Sequence, residues 1–249
     1  MITIKNKEQI AKMRDAGKIV AEALALLEEH VEPGISTWEL DEIAENYIRK
    51  CNAYPTFKGY GGFPASICAS INEEVVHGIP NRNRILTEGD IISVDVGATF
   101  RGYVGDAART FPVGKISDEN ARLIAVTKQS FFEGFAQAKK GNRLGDISNA
   151  IQRYVERHGY SVIRDLVGHG VGEKMHEDPS VPNYGKKGRG IRLSAGLTIA
   201  VEPMVAAGQY ALIQLADNWT YVTKDGSMAA HYENTFAITD EEPEILTRL

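Results

Sequence analysis

One pattern occurs twice along this chain at a constant offset of 107 residues, and that spacing restricts the fold more tightly than composition does. Gly34 maps onto Gly141, Tyr47 onto Tyr154, Ile48 onto Val155, Gly89 onto Gly196 and Asp95 onto Glu202. The shared register crosses two helical segments and a strand. It points to an internal duplication, with halves of about 7–113 and 117–247 and a site between them. The competing explanation is chance similarity between two amphipathic segments. That the same offset also pairs two acidic residues in strands favours duplication.

Local signals fill in each half. Asn6 and Gln9 form a capping box, and apolar residues from Ile10 to Leu27 recur at helical spacing until Pro33-Gly34. Ser36 and Glu39 open a second helix whose buried face carries Leu40, Ile43, Ala44, Tyr47 and Ile48. Ile67–Ile71 reads as a short strand. Residues 90–100 read as a longer strand, paired after the Arg101-Gly102 turn with 103–113. The second half predicts helices over about 117–140 and 146–158, then strand-like runs at 161–167, 197–205 and 228–239. The 249 residues suffice for one large α/β unit, so a single catalytic domain over 1–249 is expected.

The strands hold misplaced charge. Asp95 lies between Val94 and Val96, Glu202 between Val201 and Pro203, and Glu233 in an aromatic and apolar run, while Asp106 falls on the hairpin partner of Asp95. A carboxylate in such a strand is paired, hydrogen-bonded, exposed or metal-bound. For one acid the ordinary explanation is an edge-strand charge facing water; four of them weaken it. Two acids across a hairpin repel unless a cation lies between them. Three histidines accompany them: His77, His176 and, within Gly-His-Gly-Val-Gly, His169. A lone histidine among glycines is more often a loop residue, and it gains meaning only beside acids. The glycines around His169 are expected to leave room for a ligand to approach the ring. Four carboxylates and a histidine without thiolates suit Mn, Fe(II), Co or Zn. Two such ions roughly 3.5–4 Å apart can share carboxylates and activate water, which is hydrolysis without a protein nucleophile.

Other chemistries lack their motifs. There is no HExxH, Walker A loop or GxSxG elbow. The two cysteines, Cys51 and Cys68, make no CxxC and fit free thiols in a reducing cytosol. No apolar run approaches the ~18 residues of a membrane span, and residues 1–14 lack a signal-peptide core. A net charge of -5 gives no general nucleic-acid footprint. A cytoplasmic protein without membrane or DNA partners is expected. Lys186, Lys187, Arg189 and Arg192 form one basic stretch. A solvated loop is its ordinary explanation, and a transient contact with ribosomal RNA is the functional one.

These residues resemble a known family. The ordered set Asp95, Asp106, His169, Glu202 and Glu233, in the strings VDVGA, GDAART, GHGVGEKMHEDP, AVEPMV and HYENTFAIT, is similar to the type I methionine aminopeptidases over about 7–247. The five-residue set is shared by the wider pita-bread metallopeptidases, whereas KGYGGFPASICASINEEVVHGIP and LADNWT favour the methionine branch. The resemblance implies a pita-bread α/β fold of two pseudo-symmetric halves, rich in antiparallel sheet, around two divalent metal ions. It implies that Asp95 is a bidentate ligand of one ion and that Asp106 and Glu233 bridge. It gives His169 and Glu202 to the other ion, with Glu202 also handling the proton of the attacking water. It places His77 and His176 on the substrate and the tetrahedral intermediate. It puts Tyr60, Phe63, Cys68 and Trp219 in a methionine pocket bordered by Phe57 and Met175, residues that by type alone read as packing.

The implied activity is removal of the initiator methionine from nascent polypeptides with a small second residue, by a monomer. Asn234 and Val104 stand where many relatives carry histidine, and Met175 where an aromatic residue is frequent. These changes bear on the surroundings of the ligands, metal preference and rate, since none removes a ligand. An amino-terminal zinc-binding extension and the insert of the type II enzymes are not expected. The alternatives are a prolidase-like Xaa-Pro peptidase and a non-catalytic binding protein on the same fold.

Overall fold

A computed structural model describes residues 2–249. In the first half, α1 (Lys7–His30) and α2 (Thr37–Lys50) are followed by β1 (Tyr54–Pro55), β2 (Ile67–Ile71), β3 (Glu74–Val76) and a long hairpin of β4 (Ile91–Phe100) and β5 (Tyr103–Pro112). Both helices start on the capping boxes read from the sequence, Asn6 with Gln9 and Ser36 with Glu39. The second half opens with α3 (Asp118–Phe135) and α4 (Leu144–Arg157). Short strands follow: β6 (Ser161–Val162), β7 (Gly168–Gly170), β8 (Glu177–Val181), β9 (Thr198–Val201), β10 (Met204–Ala206), β11 (Leu212–Gln214), β12 (Tyr221–Thr223), β13 (Ala229–His231), β14 (Asn234–Ala237) and β15 (Glu244–Ile245). Helices α2 and α4 are offset by 107 residues at both ends, and β4 and β9 begin with the same offset.

Every paired strand is antiparallel. One sheet joins β1, β4, β2 and β5; another runs β15-β14-β9-β7-β8; β13-β10-β6 and β11-β12-β3 complete the set. Each helix pair covers its own half. Leu24, Leu27, Leu40 and Ile48 pack on Ile67, Val94 and Phe111, while Phe131, Ile147 and Ile151 pack on Ile199, Val205 and Phe236. The antiparallel sheets leave their other face free for polar chemistry. Helix α1 approaches β5 backbone to backbone, where a Cβ on Gly105 would overlap main-chain atoms of Ala16 and Gly17, and a Cβ on Gly17 would strike the Leu246 carbonyl.

The two halves meet along β5. Glu233 N donates to Ala108 O at 3.0 Å, the Thr235 hydroxyl donates to Asp106 O at 2.9 Å, and Thr110 Oγ1 bonds both backbone groups of His231. This seam fixes where the carboxylates of the two halves come together.

Several expected boundaries move. Helix α3 stops at Phe135, not near residue 140, because the chain turns at Gln137 and Ala138, whose N–H groups donate to Gly134 and Phe135 carbonyls. Only Ser161–Val162 of the run 161–167 is strand. The runs 197–205 and 228–239 each break in two, at Glu202-Pro203 and at Tyr232-Glu233. Among the described residues, no helix is long and apolar enough to cross a membrane.

Candidate metal centre and substrate pocket

Strand geometry places the acids. Asp95 on β4 pairs with Ala108 on β5, and Asp106 pairs with Gly97, so the two carboxylates are diagonal neighbours on one face of the hairpin. Glu202 and Glu233 occupy the breaks β9/β10 and β13/β14. Pro203 has no N–H to give a ladder, and the facing break at Tyr232-Glu233 frees Glu233 from pairing with the neighbouring strands while its N–H bonds across the seam. His169 lies on β7 between Ser180 of β8 and Ala200 of β9. Its flanking glycines serve packing rather than ligand access: a Cβ on Gly168 or Gly170 would strike the carbonyls of Ala200 or Asp178.

The side chains converge. His169 Nε2 is 3.6 Å from Asp106 Oδ2 and 3.8 Å from Glu202 Oε1. One ligand atom from each of Asp106, His169 and Glu233 falls within 4.8 Å of the others. His169 Nδ1 lies 2.9 Å from Gly170 O, which assigns the ring proton to Nδ1 and turns the Nε2 lone pair toward the carboxylates. Burial lowers the His169 pKa to about 4, so the ring is neutral.

The carboxylates are out of balance without a cation. Burial, then mutual repulsion, raises Asp95, Glu202 and Glu233 well above the ordinary range, and burial raises Asp106 to about 7. Asp95 Oδ1, Asp106 Oδ1 and Glu233 Oε1 are buried with no hydrogen-bond partner. Among the described residues, the ion-pair partners of Asp106, Glu202 and Glu233 are the histidines His169 and His231 alone. The nearby Arg109 guanidinium is occupied by the carbonyls of Ala108 and Glu233 and by Asn234 Oδ1. Buried, clustered, unpartnered oxygens beside a neutral imidazole are the donor set a hard or borderline divalent cation takes.

All eleven residues proposed from the sequence line one cavity of about 160 Å³, together with Phe57 and Met175. The acids and His169 form its polar part. Phe57, Phe63 and Cys68 form an apolar cluster in the same cavity, with Trp219 edge-on to Phe63 at 5.1 Å. Cys68 faces Asp95 across β2 and β4, and burial keeps its thiol protonated. His77, in a left-handed backbone conformation at φ 61, packs edge-on against Tyr221 and Trp219. His176 stands at the mouth with its ring 4.3 Å from that of His169, and its Nδ1 is 2.7 Å from the Tyr60 hydroxyl.

Sequence reasoning does not single out His231. The structure buries it beside the acids, with Nε2 3.6 Å from Glu202 Oε2 and 4.0 Å from Glu233 Oε2. Burial lowers its pKa to about 3. Strand alternation was the available signal, because His231 and Glu233 are two residues apart. Asn234 is also accounted for: its Oδ1 accepts from Arg109 and from Thr247, which anchors the backbone beside Glu233.

With this geometry in place, similarity to known proteins decides the family. The pattern of metallopeptidase family M24 matches residues 11–240. A methionine aminopeptidase of Clostridium acetobutylicum is 62% identical over 247 residues, covering 99% of both chains. The chain belongs to the methionine aminopeptidases of metallopeptidase family M24. Methionine aminopeptidase 1 of Bacillus subtilis is 53% identical over 249 residues and 100% of both chains. The crystal structure of a Thermotoga maritima methionine aminopeptidase superposes with a TM-score of 0.99 at 46% identity, over 100% of both chains. An Xaa-Pro dipeptidase from Bacillus anthracis, 22% identical with a TM-score of 0.77, shares the fold over 99% of this chain and 62% of its own. The family fixes the pita-bread fold and a metal-dependent peptidase.

Proposed function

We propose that this metalloaminopeptidase removes the amino-terminal methionine from nascent polypeptides and peptides whose second residue is small. We assign Asp95, Asp106, His169, Glu202 and Glu233 to two divalent cations, and 1–249 to one catalytic unit of two duplicated halves. The observation that carries the reading is one cavity lined both by orphaned carboxylate oxygens and by an aromatic and sulfur cluster. Bound cations of the Mn, Fe(II), Co or Zn type would supply Lewis acidity and a water of lowered pKa.

The protein's own groups do the rest. Phe63, Cys68 and Trp219 hold an unbranched thioether against aromatic faces. Asp95 helps hold the free α-amino group, so the chain end sits at the acids. Glu202 takes a proton from the attacking water and passes it to the leaving amine. Tyr60 donates to His176 Nδ1, which leaves the ring proton on Nε2 to meet the oxyanion of the tetrahedral intermediate. His77 contacts the substrate beside the scissile bond.

Cleavage of Met-Ala-Ser should stop on chelation and return with added divalent ion. Full activity of protein verified as metal-free would rule the mechanism out, and faster cleavage of Ala-Pro peptides would favour the prolidase-like substrate instead. The exposed loop at 186–192 bonds back to the start of α4, with Leu144 and Gly145 N–H donating to Ile191 and Arg189 carbonyls, a structural use of its backbone. Its outward lysines and arginines are assigned a weak ribosomal contact by a monomeric enzyme in the cytoplasm. Salt-sensitive co-sedimentation with ribosomes that is lost on charge reversal of the loop tests that contact.

A further inference from the structure

His231 is a buried polar group at the centre that neither the ligand set nor the substrate pocket uses. Its backbone is held on both sides by a single hydroxyl: Thr110 Oγ1 accepts from His231 N at 2.8 Å and donates to His231 O at 2.9 Å. Thr110 Oγ1 lies in turn 2.8 Å from Ser93 Oγ on the neighbouring strand. The ring is therefore carried by a fixed piece of β13, opposite Met204 of β10 and next to both strand breaks. Its Nε2 is buried and has no hydrogen-bond partner. A buried imidazole nitrogen left unmatched costs free energy, and the nearest groups that can match it are carboxylate oxygens.

Two distances decide which one. Glu202 Oε2 is at 3.6 Å and Glu233 Oε2 at 4.0 Å. Glu233 is itself 2% exposed, whereas Glu202 retains 14% exposure and has room to turn. A small rotation of Glu202 closes the gap to a hydrogen bond. The other oxygen, Glu202 Oε1, already faces His169 at 3.8 Å. A carboxylate held this way has one oxygen fixed by an N–H and the other presented to the cavity. His231 Nε2 faces Glu202 Oε2, while His169 faces the other oxygen, Oε1. That placement suits a donor behind a ligand better than a sixth ligand.

We propose that His231 is a positioning residue of the cation centre: its Nε2–H donates to Glu202 Oε2 and fixes which oxygen of Glu202 faces the cations and the reacting water. This rests on the assignment of the five side chains to divalent cations. Groups that orient metal ligands typically govern metal affinity by about 10- to 100-fold. The orientation of Glu202 also sets the direction in which it hands on a proton, so kcat carries the loss and KM does not.

The test is Co(II) binding to metal-free protein, followed by calorimetry and by the visible absorption of the bound ion, for wild type, His231→Leu, His231→Asn and His231→Gln. Glutamine places an amide N–H near the position of Nε2, whereas asparagine is too short to reach. The Leu and Asn variants should bind Co(II) roughly 10-fold or more weakly, with an altered spectrum. Gln should restore wild-type affinity and spectrum, and kcat on Met-Ala-Ser should follow the same order at little-changed KM. Wild-type affinity and spectrum in the Asn variant would overturn the proposal even if the Leu variant does not fold. Failure of Gln to rescue would also overturn it, because shape rather than the donor would then be at work. Wild-type protein that binds no Co(II) would overturn the cation assignment itself, and this proposal with it.

Discussion

The Tyr60 hydroxyl is 116 residues from His176 in sequence and 2.7 Å from its Nδ1 in space. Partial desolvation of the ring lowers the His176 pKa, which favours the neutral imidazole that such a donor can orient. Replacing Tyr60 with Phe removes only the hydroxyl. One hydrogen bond is worth about 0.5–1.5 kcal/mol net, so kcat on Met-Ala-Ser should fall about 2- to 12-fold while KM changes little. A change confined to KM would instead assign Tyr60 to the pocket wall. That contact was not legible in the sequence, since nothing local to Gly59-Tyr60-Gly61 points to a histidine so distant. The acids were legible for a physical reason: each interrupts an apolar run, and buried charge demands a partner. His231 escaped because it neighbours an aromatic residue and a more conspicuous acid, and its value to the site depends on a gap that only coordinates reveal.

At the level of elements, the hydrophobic periodicity gave the helices well, and the capping boxes at Asn6 and Ser36 set their starts. The strands of the second half were harder to read. Runs 197–205 and 228–239 look continuous because apolar character persists through the breaks at Glu202-Pro203 and Tyr232-Glu233, which a hydropathy pattern cannot register. Those breaks take Glu202 and Glu233 out of the ladders of the second half and let them turn to the cavity. Strand β7 has the opposite character: three residues wedged between two neighbours, with no space for a side chain beside His169. Gly170→Ala should therefore displace β7, because the new methyl group meets main-chain carbonyls of Asp178 and Glu177 that cannot swing aside. Overpacking of this kind costs about 1–3 kcal/mol, and His169 moves with the strand. A lowered Tm together with weakened divalent-ion binding is the expected result; a lowered Tm with wild-type binding would separate β7 packing from the metal centre.

For the whole molecule, the centre makes stability depend on pH and on cations together. Asp106 titrates near 3.8 when unfolded and at about 7 when folded without metal, and Asp95, Glu202 and Glu233 are displaced in the same direction. Between these values the folded state holds protons that the unfolded state has released, so the carboxylate contribution to metal-free stability falls as pH rises, while His77, His169, His176 and His231, all lowered by burial, add stability up to about pH 6.5 and so offset the fall below that point. Glu45, held down at about 2 chiefly by Lys58 and Arg49 against the effect of its own burial, acts with the opposite sign. Its contribution is lost only as pH falls from about 4.5 toward 2, below the range in question. A divalent cation reverses the trend at the centre, because it stabilises the ionised carboxylates and binds the folded state alone. The Tm of chelated protein should thus decline from pH 7 to 8, where the unfolded histidines are already neutral, and the gain in Tm on adding Mn(II) should grow over the same interval. Asp106→Asn removes one of the repelling charges, so the chelated variant should be more stable than chelated wild type at pH 8 and should gain little from Mn(II). If chelated wild-type protein instead becomes more stable between pH 7 and 8, the four carboxylates do not form the unbalanced cluster on which the metal centre depends.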